Sequence, residues 1–121
     1  MTLSNVFRAM AVFMGLWGVG MLLVPETVVG NWNWELTEDL AVMTQFMGTM
    51  MVTFAFVHWK MPAWAGDNLK SAGITFGVIQ VLFLALNIFH LAVGNIPSTA
   101  ENIGGVVPAA ILTALFFVKS R

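Results

Sequence analysis

The side chains able to do chemistry in this sequence are few, and most lie in apolar surroundings. Amides and an imidazole recur at Gln45, Gln80, Asn87 and His90. An amide donates and accepts, and an imidazole does either or binds a metal. Within a membrane such a set lines a small polar pocket or ties helices together by hydrogen bonds. Met43, Met47 and Met51 recur at every fourth residue, which stacks three thioethers along a helix. Thioethers are soft donors that select Cu(I), so a Cu(I) path is the sharper reading of that stripe. Met also fills irregular gaps in packed cores, and with nine Met in the chain packing is the plainer one. His58 and His90 are expected at opposite ends of their helices, roughly 20 Å or more apart, too far to share a metal. His58, beside Trp59 and Lys60, reads as an interfacial residue.

Other chemistry is missing. With no Cys there are no disulfides, thiolate metal sites or Cys nucleophiles. There is no Gly-rich phosphate loop, no His-Glu-x-x-His, and no Ser/His/acid set able to converge at one depth. Tyr is absent as well. The residues predict no catalytic group and no cofactor.

The elements that must position these residues follow from composition. Of 121 residues, 59% are hydrophobic and 9% charged, with a mean hydropathy of +0.86. A soluble domain carries roughly 25% charged residues, so five basic and six acidic side chains cannot cover a water-facing surface of this size. The composition excludes a soluble enzyme and a disordered chain. A net charge of -1 without basic–aromatic interleaving excludes a nucleic-acid partner. The expected fold is all-α: an integral membrane four-helix bundle, one domain over residues 1–121, with spans near 4–24, 38–59, 69–93 and 99–118. Each approaches the ~20 residues needed to cross a ~30 Å hydrocarbon core. The fourth is long enough because Ser98-Thr99-Ala100-Glu101 has capping-box spacing, which starts the helix at Thr99. The first span lacks a small-x-small cleavage site and is read as retained.

Charge placement sets the expected orientation. Arg8, Lys60, Lys70, Lys119 and Arg121 all fall on one side of a four-span chain, while the segments 25–39 and 94–102 contain no Lys or Arg. The positive-inside rule places both termini and the middle loop in the cytoplasm. A bacterial plasma membrane is the expected location. Trp32 and Trp34 on one side, and Trp59 and Trp64 on the other, suit the two interfacial belts.

Lipid supplies no hydrophobic drive for helix association, so small residues that permit close approach mark the packing faces. These are Ala11, Gly15 and Gly18 in the first span, Thr44, Gly48 and Ala55 in the second, Gly73 and Gly77 in the third, and Gly105 in the fourth. In the third span Gly73, Gln80 and Asn87 share one face, which is expected to be buried. Gln45, Asn87 and His90 are expected to meet in the outer half, with Gln80 nearer mid-membrane.

A Gly-rich end to the first span, Gly18 to Pro25, precedes an outer loop, and Gln45-Phe46-Met47-Gly48 follows in the second. This layout resembles the small four-span membrane proteins related to DoxX, and Gln45 stands where that family more often has Arg. The resemblance implies a four-helix membrane bundle and no agreed catalytic residue. The expected function is that of a non-enzymatic accessory or structural subunit, packed against lipid and against other membrane subunits or itself. The alternative is small-solute or Cu(I) transport through the outer polar level and the Met stripe.

Overall fold

A computed structural model describes all 121 residues, Met1–Arg121. Every element is helical: α1 (Leu3–Leu23), α2 (Pro25–Asn31), α3 (Glu38–Ala65), α4 (Leu69–Ala92) and α5 (Ala100–Lys119), with a single 3-10 turn at Gly66–Asn68. Three helical stretches are long and apolar enough to cross a membrane: Leu3–Leu23, Ala100–Lys119 and the 55-residue run Glu38–Ala92.

That long run contains α3 and α4, and it folds back on itself. On a straight helix His58 and Phe76 would lie ~27 Å apart, yet their ring centroids are 4.6 Å apart. The reversal occurs where Gly66 takes φ +51°, a left-handed value that Gly adopts without steric cost. α3 also continues past Trp59 to Ala65, carrying Pro62 inside it.

Threonines start three of the long helices. The hydroxyls of Thr2, Thr37 and Thr99 accept from the backbone N–H of Asn5, Leu40 and Asn102, which satisfies a donor that the first turn leaves free. The α5 cap is therefore Thr99, and the helix begins at Ala100, one residue beyond the start expected from the Ser98 box. Part of the expected outer loop is helical too. Pro25 is set for a first helical turn by its fixed φ, and α2 buries Val28 and Val29.

Contacts give the directions of the helices. Gly15 faces Ala55 and Gly18 faces Gly48, so α1 and α3 are antiparallel. Gly73 faces Ser120 and Gly77 faces Phe116 and Phe117, so α4 and α5 are antiparallel too. Leu3 touches the Gly73 position, and Lys70 Nζ donates to the Arg121 carbonyl oxygen at 2.7 Å. Both termini and the α3–α4 turn thus share one end of the molecule, together with all five basic residues.

The expected packing glycines lie at helix contacts, in three different ways. At Gly18 and Gly48 backbone meets backbone. A methyl group on Gly18 would sit 2.8 Å from the Gly48 carbonyl oxygen and 2.9 Å from the Val52 nitrogen; one on Gly48 would sit 2.7 Å from the Gly18 oxygen. Gly73, Gly77 and Gly105 instead receive side chains: Ser120 with Leu3, Phe117, and the Trp17 ring. Gly15 is looser, since a methyl there would meet Ala55 Cβ at an ordinary 3.7 Å.

This difference predicts opposite outcomes for one substitution. Gly18→Ala drives a carbon into two backbones that cannot rotate away, and is expected to cost about 1–3 kcal/mol. Gly15→Ala is expected to be neutral, or stabilising by up to about 1 kcal/mol through the lower entropy cost of Ala in a helix. Reversible unfolding of the two variants in detergent checks the pair.

Candidate functional site

At the basic end, each of the four long helices sends one ring into a common junction. Phe7 comes from α1, His58 from α3, Phe76 from α4 and Phe116 from α5. Phe7 meets Phe116 edge-to-face at 4.8 Å and Phe76 at 5.3 Å; His58 meets Phe76 edge-to-face at 4.6 Å. Edge-to-face pairs align a positive ring edge with a negative face. Phe7 and Phe116 are fully buried, and His58 is only 1% exposed.

The imidazole is the polar heart of this junction. His58 Nδ1 lies 2.8 Å from the Phe54 carbonyl oxygen, one helical turn back. A carbonyl can only accept, so Nδ1 carries the proton. Nε2 is then left as an acceptor, and the Gln80 amide nitrogen approaches it at 3.4 Å. That nitrogen also lies 3.7 Å from Met14 Sδ. Gln80 reaches the junction because it stands one turn beyond Phe76 on α4, and Met14 because it stands two turns beyond Phe7 on α1. No buried side-chain nitrogen or oxygen lacks a partner. With both its nitrogens engaged inside the protein, His58 offers no free valence to a substrate or metal in this arrangement. What the geometry does is fix register among four helices.

His58 is therefore a core residue, which corrects its reading as interfacial. A signal for it lies in the sequence. Thr44, Gly48, Met51, Ala55 and His58 follow one another at steps of four and three, so His58 continues the packing stripe of α3.

The expected outer polar level does not assemble. None of its three members, Gln45, Asn87 and His90, is buried, whereas Gln80, expected nearer mid-membrane, is. Gln45 is exposed, one residue off the Thr44–Gly48 stripe. Asn87 is exposed as well, its amide reaching only the Phe83 carbonyl at 3.0 Å. His90 is half-buried and pairs with Asn95 at 3.0 Å, closing the α4 C-terminus locally. The buried face of α4 stops short of Asn87: Leu82, Phe83, Leu86, Ile88, Phe89 and Val93 are all exposed.

The Met stripe is likewise split. Met43 and Met47 point outward, 59% and 47% exposed, while Met51 is half-buried against the core. No group of three or more His, Asp or Glu side chains is placed to hold a metal ion.

A second polar contact, not singled out from the sequence, clamps the opposite end. Asn102 is buried in the first turn of α5 and its amide donates to the carbonyls of Asn31 at 2.8 Å and Pro97 at 2.7 Å. Trp34 Nε1 donates to the Asn95 carbonyl at 3.1 Å. One side chain thus joins the end of α2 to the α4–α5 loop. No protein-family model, curated protein or solved structure matches this chain.

Gln80→Leu is expected to destabilise the protein by about 1–3 kcal/mol, because it strips the buried His58 Nε2 of its donor. The double change His58→Phe with Gln80→Leu should recover most of that loss, since removing both partners leaves nothing unpaired. Equilibrium unfolding of the single and double variants in detergent distinguishes a register pin from a functional histidine.

Proposed function

We propose that this protein is a non-enzymatic multi-pass membrane subunit, a four-helix bundle that works by joining a larger membrane complex. The observation that supports this most is the exposure of two amides at membrane depth. Gln45 and Asn87 stand roughly 8–11 Å inside the ends of α3 and α4 at the end away from the basic residues, the acidic end, where Glu26, Glu35, Glu38, Asp39 and Glu101 lie. A polar side chain turned toward lipid is costly, and in membranes such groups bond helices together. The exposed outer half of α4 surrounds Asn87 with the exposed apolar side chains Phe83, Leu86 and Phe89. Outward amides on an apolar helix suit another membrane helix better than lipid alone.

In this reading both termini and the α3–α4 turn face the cytoplasm of a bacterial plasma membrane, because all five basic residues lie at that end. The DoxX-like layout fits the same reading. No cofactor is invoked. The closed His58 centre supports a structural role over transport, since both of its ring nitrogens already have partners inside the protein.

Two measurements test this. Extracted from its native membrane in mild detergent, the wild type is expected to migrate with a larger partner. Gln45→Leu with Asn87→Leu should release that partner while the unfolding midpoint stays unchanged or rises. A wild-type monomer under the mildest extraction would count against the subunit reading. A cytoplasm-only reporter fused after Arg121 is expected to be active, and silence there would reverse the orientation.

A further inference from the structure

A shallow groove of about 470 Å³ runs along the outside of the α1–α3 pair. Its floor is made of small residues, Ala11, Gly15 and Ala55, and its walls of Leu16, Phe56 and Trp59, all three largely exposed. The floor is low because Gly18 and Gly48 draw the two backbones together just beyond it. The groove belongs to neither the aromatic junction nor the outward amides.

One cation heads this groove. Arg8 stands three and four residues before Ala11 and Val12, which precede Gly15, Leu16 and Val19 at the same helical spacing, so Arg8 opens the α1 face that lines the groove. Its guanidinium lies 5.8 Å from the centre of the Trp59 ring, an arrangement that holds the cation over the groove's end wall. Lys60 is adjacent and exposed. From Arg8 to Val19 the helix rises ~16 Å, about half of a ~30 Å hydrocarbon core. The groove therefore has the depth of one leaflet, with its positive charge at the headgroup level.

We propose that this groove holds an anionic phospholipid, one acyl chain lying over Ala11, Gly15 and Ala55 and the headgroup phosphate at Arg8 and Lys60. The inference rests on the membrane reading above. A second copy of the chain fits the groove less well. Two copies in one membrane share an orientation, so a two-fold contact here would set Arg8 and Lys60 against their own counterparts. A lipid phosphate meets the same charges with opposite sign, and a flexible chain fills a groove whose floor is narrow and low.

The test compares phosphatidylglycerol with phosphatidylcholine of identical acyl chains, added to the detergent-purified full chain and read by native mass spectrometry. The wild type is expected to retain phosphatidylglycerol at several-fold lower lipid concentration. Arg8→Gln, a change at an exposed position, should reduce that preference about fivefold, from ~1 kcal/mol for one basic residue near a lipid surface. Gly15→Leu should raise the floor and weaken retention of both lipids. Equal retention of the two lipids by the wild type would overturn the proposal, as would a headgroup preference that survives Arg8→Gln. A homodimer that excludes lipid, with Gly15→Leu dissociating it, would also overturn it by assigning the groove to a second copy. Failure of the membrane reading has a separate signature, namely recovery of the chain in the aqueous fraction without detergent.

Discussion

The contact on which the rest of this structure depends is the edge-to-face junction of Phe7, His58, Phe76 and Phe116, one ring from each long helix. Lipid is as apolar as Leu, so burying hydrophobic surface does not by itself draw helices together in a membrane. Association has to come from close packing and from polar groups that have no better partner elsewhere. The junction supplies both. Its rings interlock from four directions, and the imidazole at its centre is tied by Nδ1 to its own helix and by Nε2 to Gln80 on the next. A slip of α3 or α4 by one residue would leave a polar atom unpaired where water cannot reach it.

From that point the molecule loosens toward its acidic end. α1 and α3 stay together through the Gly18–Gly48 approach, and Asn102 pins α5 to the end of α2. α4 has no equivalent beyond Gln80, and its remaining turns carry apolar side chains outward. α4 is thus held closely through Gln80 and carries uncovered apolar side chains in its last turns.

Much of the architecture could be read from the residues. Long apolar stretches gave the helices, and the glycines at 15, 18, 48, 73, 77 and 105 marked helix contacts, because spacing on a helix follows from its period. What spacing does not reveal is which neighbour a face meets and for how far. Gln80 and Asn87 share a face of α4, yet only the first is buried. Gln45 lies one residue from the α3 packing stripe, a difference of about 100° that turns it outward. His58 was obscured by its neighbours: Trp59 and Lys60 suggest an interface, while the stripe from Thr44 through Ala55 places it in the core. Asn102 carried no signal at all, since its role depends on two loop carbonyls that only the tertiary structure brings together.

The most direct test of the junction is nitrogen NMR of His58 in lipid bilayers, which distinguishes protonated from unprotonated ring nitrogens. The structure requires a single tautomer with the proton on Nδ1, held by the Phe54 carbonyl, and slow to exchange with water. A ring that exchanges freely, or that carries its proton on Nε2, would contradict the junction and with it the packing of the four helices.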